Sequence, residues 1–136
     1  MYLLGTNICI YALNGRSQPL LQKLLSIHPD EIAVSAITVM ELEYGAAKSR
    51  WGEKTRQRLY AFLANYSILP FADYDAVVCG QIRAALARTG QSIGAYDTMI
   101  AAQGLARELT VVTHNTGEFA RVQGLRIEDW AESVIR

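Results

Sequence analysis

The sequence predicts an α/β protein of three layers, α/β/α, with a short central parallel sheet between helices. Three observations carry this. Short apolar runs alternate with stretches of helical periodicity, and no two of the runs are joined by a tight hairpin turn. The first run, Tyr2-Leu3-Leu4, begins almost at the first residue and is apolar on both faces. A strand of that kind belongs in the middle of a parallel sheet covered by helices.

Each element has its own local reason. Gly5-Thr6-Asn7 stops the first strand and turns the chain into a helix over Ile8–Leu13, which Asn14-Gly15 ends. Ser17-Gln18-Pro19 opens a second helix running to about Ile27, with Leu20, Leu21, Leu24 and Leu25 at helical spacing. After the His28-Pro29-Asp30 turn, Ile32–Ser35 is the second strand. Thr38 is expected to cap the third helix, which continues through Ala47. Gly52 separates it from a fourth, over about 53–65, that turns Leu59, Phe62 and Leu63 inward and its basic residues outward. Ser67–Pro70 reads as the third strand, and Asp73 as the cap of a helix over Ala76–Ala87 that Thr89-Gly90 closes. A helix starting near Gly94 or Ala95 precedes the fourth strand, Leu109–Thr113. A loop from His114 to Phe119 and a weak fifth strand near Leu125–Ile127 lead to a C-terminal segment carrying Trp130.

The totals exclude several classes. A chain of 136 residues, 51% hydrophobic and 19% charged, reads as one folded domain over residues 1–136. Cys9 and Cys79 fall within helical apolar patterns and form no CxxC or His-spaced set, so they read as packed thiols of a reducing compartment rather than zinc ligands. No stretch approaches the apolar length of a membrane span, and a cytoplasmic location is expected. Thirteen basic residues balance thirteen acidic ones. Their distribution is uneven, however: Lys48, Arg50, Lys54, Arg56 and Arg58 crowd together against Glu53 alone. Such a cluster is either a solvated helix face or an edge that contacts phosphates.

Ligands of open parallel sheets gather outside the carboxyl ends of the strands. Three acids lie near such ends or on the helices that begin there: Glu41, Asp97 and Glu118. Asp97 shares a helix face with Ile100 and Ala101, where the apolar pattern calls for a greasy residue. It reads as a helix cap or as a metal ligand in a cleft, and only converging carboxylates decide between them. Val34, Ile37 and Tyr44 mark the side of Glu41 as inward, which leaves Glu43 at the surface. Glu118 is a ligand or a plain loop acid. Thr6, Asn7, Thr113 and Asn115 either orient ligands and a metal-bound water or satisfy turns. Asp73 and Asp75 read as structural. Hard oxygen donors of this kind suit Mg²⁺ or Mn²⁺, which lower the pKa of a bound water and neutralise charge on a phosphodiester. No GxGxxG or GxxxxGK[ST] loop follows the first strand and no GxSxG surrounds Ser35, which argues against a nucleotide-binding domain or a serine hydrolase.

Four blocks in order carry a family resemblance: Met1-Tyr-Leu-Leu-Gly5-Thr-Asn-Ile-Cys-Ile-Tyr11, Ser35-Ala-Ile-Thr-Val-Met-Glu41-Leu-Glu-Tyr-Gly45, Ile93-Gly-Ala-Tyr-Asp97-Thr-Met-Ile-Ala-Ala102, and Val112-Thr-His-Asn115-Thr-Gly-Glu118-Phe119. Together they resemble the PIN-domain ribonuclease toxins of the VapC family, over nearly the whole chain to about Trp130. The resemblance implies a Mg²⁺-dependent (or Mn²⁺-dependent) endoribonuclease that cuts structured RNA. Initiator tRNA, at its anticodon stem-loop, is the implied substrate. It further implies a VapB-type antitoxin partner and a homodimer. The antitoxin is expected at the apolar groove around the second and fourth helices, with one of its Arg side chains reaching the acids. The family's acidic set maps onto position 5, Glu41, Asp97 and the Asn115–Glu118 loop. There Glu118 is the preferred acid and Asn115 its support.

Position 5 departs from the pattern. The family has Leu-Asp-Thr-Asn at the end of the first strand, and this chain has Leu4-Gly5-Thr6-Asn7. The neighbours keep the family's spacing, so the change reads as the loss of a metal ligand and implies an inactive or severely weakened nuclease. The alternative is a glycine required by backbone conformation or close approach.

Overall fold

The computed structural model describes residues 1–131. Five strands, β1 (Tyr2–Leu4), β2 (Ile32–Ser35), β3 (Ser67–Leu69), β4 (Thr110–Val112) and β5 (Ile127–Glu128), form one parallel sheet in the order β3-β2-β1-β4-β5. The two-faced apolar strand is therefore the central one. Leu3 pairs with Ala33 and Val111, and Leu4 with Val34 and Val112. Alternation along the strands then sends each set to its own side of the sheet.

Helices cover both sides. α1 (Thr6–Leu13), α2 (Gln18–Ser26), α3 (Ala36–Lys48) and α4 (Gly52–Leu63) bury Ile8, Leu20, Leu24, Leu42, Leu59 and Leu63 with Leu4, Val34 and Val112. α5 (Asp73–Arg88) and α6 (Ala95–Ala106) bury Cys79, Ile82, Leu86, Ile100 and Ala101 with Leu3, Ala33 and Val111. A one-turn helix, α7 (Thr116–Phe119), lies in the segment expected to be a plain loop. No helix among the described residues is long and apolar enough to cross a membrane.

Several boundaries differ from expectation for identifiable reasons. α3 is capped by Ser35, whose Oγ accepts from the Ile37 N–H at 3.0 Å, so the last strand residue doubles as the cap. Thr38 lies inside the helix, buried. α5 begins at Asp73, three residues before the expected start, and Asp73 does not cap it. Instead the Ala72 N–H donates to Asp75 Oδ2 at 2.8 Å. Asp75 is completely buried and also accepts from Arg107 at 2.9 Å, while Arg107 donates to the Pro70 carbonyl at 2.8 Å. Buried Gln103 adds bonds to the Leu69 and Pro70 carbonyls. These side chains tie α6 to the turn between β3 and α5.

The chain lays down β1, β2 and β3 outward in one direction and then crosses back to place β4 on the other side of β1. The order reverses between β1 and β4. The carboxyl ends of these two strands border the crevice in which a ligand is expected.

Candidate functional site

The expected acids and their polar neighbours come to this sheet edge from different elements. Gly5 ends β1 and is the N-cap of α1; Thr6 and Asn7 open that helix. Glu41 comes from the second turn of α3, Asp97 from the first turn of α6, and Thr113, Asn115 and Glu118 from the segment after β4. The rapid passage from strand to helix at Gly5-Thr6 and Ser35-Ala36 keeps these groups close to the sheet edge.

Neutral donors hold two of the acids. Thr6 Oγ1 donates to Glu41 Oε1 at 2.8 Å and lies 3.0 Å from Thr38 Oγ1. Asn115 Nδ2 donates to Glu118 Oε2 at 2.9 Å, while its backbone N–H donates to Thr113 Oγ1 at 2.9 Å. Thr113 is buried, so that bond fixes the segment to the end of β4. The sequence carries a signal for Thr38, three residues before Glu41 on one helix face, although the same position also suits a cap.

Asp97 is under electrostatic stress. Burial, then the negative charges of Glu118 and Glu41 and a hydrogen bond with Glu118, push its pKa up from 3.8 to about 6. Among the described residues none of these three carboxylates pairs with a Lys, Arg or His. Oxygen donors that repel one another without a protein cation suit a hard divalent ion chemically. No three Asp, Glu, His or Cys side chains among the described residues form a cage for one. Mg²⁺ does not need a cage, since it is commonly held by one or two carboxylates, its own waters and substrate phosphates.

Gly5 is not required by its backbone. Its φ of −72° and ψ of 161° suit any residue. Its N–H donates to the Val112 carbonyl at 2.8 Å, and a Cβ at this position would meet that oxygen at 3.0 Å and Thr113 Cβ at 3.8 Å. A side chain here demands a shift of a few tenths of an ångström from β4 and then enters the crevice beside Thr113.

The PIN-domain family pattern matches residues 2–125. The tRNA(fMet)-specific endonuclease VapC of Shigella flexneri is 40% identical over 133 residues, covering 96% of this chain and 98% of that protein. The chain belongs to the PIN-domain family of VapC ribonucleases. Two crystal structures share its fold: VapBC2 from Rickettsia felis bound to promoter DNA, and DNA-bound VapBC from Salmonella typhimurium. Each has a TM-score of 0.90 and covers 95% of this chain, at 36% and 39% identity and with 98% and 97% of the respective relative covered.

Within this PIN domain the basic edge is less uniform than the sequence suggests. Arg56 is turned inward onto Glu43 at 2.8 Å and Glu53 at 2.7 Å, and Arg58 donates to the Leu13 carbonyl. Lys48, Arg50 and Lys54 carry no such partner among the described residues. Glu43, expected to be a bare surface acid, is thus the anchor of a cross-helix bridge. Tyr44, expected to mark an inward side, is 63% exposed. An apolar cavity of about 160 Å³ lies between α1, α3 and α4, lined by Ile10, Leu13, Leu42, Ala46 and Leu59, with Glu41 at its wall. This cavity shares α4 with the groove expected around α2 and α4; α2 does not line it, because its Leu20 and Leu24 pack with the sheet.

Proposed function

We propose that this chain is the toxin of a VapBC-type pair, a Mg²⁺- or Mn²⁺-dependent endoribonuclease for structured RNA, impaired here by Gly5. The observation that carries the reading is the convergence of Glu41, Asp97 and Glu118, unpaired with any described cation, at the point where the sheet order reverses. The tRNA(fMet) specificity named for the Shigella relative supports the anticodon stem-loop of initiator tRNA as substrate.

A bound divalent ion supplies an activated water and neutralises charge on the scissile phosphate. Asp97 and Glu118, and Glu41 across from them, are the groups that would hold it. Thr6 and Asn115 orient two of these carboxylates, and Thr113 fixes Asn115. Lys48, Arg50 and Lys54 supply phosphate contacts that position the RNA. Asn7 completes the polar rim. An Asp at position 5 adds the missing carboxylate, and its loss costs a rate factor of at least about a thousand.

The VapBC complexes among the structural relatives support a VapB-type antitoxin as partner. The apolar cavity at α1, α3 and α4 offers it a seat, and the uncompensated acids attract a cationic side chain. Exposed Tyr74, Val77 and Tyr96 on α5 and α6 supply apolar surface for a homodimer. The setting is cytoplasmic.

Gly5 also favours a second reading, a PIN module that binds antitoxin or RNA without cutting. Hydrolysis of a total tRNA pool by the Gly5→Asp variant separates the two. Cleavage that EDTA stops supports the nuclease; an inert, folded variant with either metal overturns it in favour of the binding module.

A further inference from the structure

Two large aromatic side chains at the α3–α4 corner stand out from the rest of the surface. Tyr44 is 63% exposed and Trp51 64% exposed. Each has a cation on one side of its ring: Lys48 Nζ lies 4.7 Å from the Tyr44 ring centre, and the Arg50 guanidinium 5.6 Å from that of Trp51. Neither cation has a hydrogen bond or ion pair among the described residues. Other exposed aromatics lack this combination. The Tyr60 hydroxyl is tethered to Glu43, and the Arg107 that covers Tyr74 is committed to Asp75. Tyr44 lies one turn along α3 from Glu41, so its ring lies on the helix that carries one of the acids.

Exposed rings interleaved with free cations match the chemistry of single-stranded nucleic acid. Bases stack on the rings, and phosphates meet the adjacent cations. We propose that Tyr44 and Trp51 are stacking platforms for unpaired bases of the RNA, with Lys48 and Arg50 holding the flanking phosphates. This rests on the ribonuclease reading and deepens it. The platforms recognise a loop rather than a paired stem, because a duplex keeps its bases stacked on one another.

The test uses the full chain in EDTA, so that nothing is cut. Two probes are titrated, an RNA hairpin with an unpaired loop and a blunt RNA duplex of equal charge. Trp51 emission reports contact in the unaltered chain, since the other tryptophan, Trp130, is buried, and the anisotropy of an end-labelled RNA reads affinity in every variant. The hairpin is expected to quench the exposed tryptophan emission and to bind about tenfold more tightly than the duplex. Trp51→Ala and Tyr44→Ala each weaken the hairpin by about tenfold, with no change in the salt slope of binding, and Trp51→Phe restores affinity. Lys48→Gln instead lowers the salt slope by about one. Thermal melts check that the variants fold, and both rings are exposed enough for truncation to leave the core intact.

Equal affinity of the alanine variants and the unaltered chain for the hairpin overturns the proposal, as does equal quenching by the duplex. So does shielding of Trp51 when the protein alone is concentrated, which identifies the patch as a contact between copies. The parent reading fails separately. If Gly5→Asp cuts RNA while Trp51→Ala binds normally, the platforms fall and the nuclease stands. If Gly5→Asp is inert while the hairpin still quenches Trp51, the platforms stand and the nuclease falls.

Discussion

Replacing Asp97 by Asn removes a charge the fold holds at a cost, and the consequence for stability has a definite sign. The folded carboxyl titrates at about 6 against 3.8 ordinarily, so between those values the native state binds more protons than the unfolded chain. Stability therefore falls as pH rises from about 4 to about 6, and the loss is complete above that window. The full rise corresponds to at most about 3 kcal/mol. Asp97 is half-buried, and solvent screening reduces this to about 1–2 kcal/mol. In EDTA at about pH 8, Asp97→Asn should be the more stable protein by that amount, melting about 5 °C higher. At about pH 4 the two should coincide. Mg²⁺ should raise the melting temperature of the unaltered chain and leave that of the variant unchanged, closing the gap at high pH. A variant that is less stable than the unaltered chain at pH 8 would refute the reasoning, because Asp97 would then be a satisfied cap.

Other perturbations follow from the same packing. Arg107→Ala strips buried Asp75 of its cationic partner, and should cost about 3–5 kcal/mol in urea unfolding. Gly104→Ala drives a methyl to 2.6 Å from Val111 Cγ2 and 3.1 Å from Leu125 Cδ1. The overpacking should cost about 1–3 kcal/mol by thermal melt. Cys9 is wholly buried with its thiol pushed up to about 12, so a thiol reagent should label it only after unfolding.

Periodicity and strand-end chemistry made most of the architecture legible. The apolar runs located every strand, and the two-faced character of Tyr2-Leu3-Leu4 gave its central position. The rule for carboxyl ends located the crevice, and Glu41, Asp97 and Glu118 converge on it. What stayed hidden depends on partners distant in sequence. Asp75 resembles any acid in a first helical turn until Arg107, more than thirty residues later, is seen to close on it. Thr38 resembles a cap because nothing local shows that Ser35 has already taken that role and that Thr6 awaits it. Arg56 looked like a free surface cation for the same reason, since Glu43 belongs to another helix. Tyr44 misled in the opposite direction: an aromatic at helical spacing suggests a core, and here the ring is mostly in solvent.

The most direct measurement is cleavage of initiator tRNA by this chain and by Gly5→Asp, side by side with Mg²⁺ and with EDTA. A metal-dependent cut by the Asp form at least about a thousandfold faster than by the Gly form is the predicted result. Equal rates for the two forms, or a cut that survives EDTA, would contradict the assignment of position 5 as the missing metal ligand.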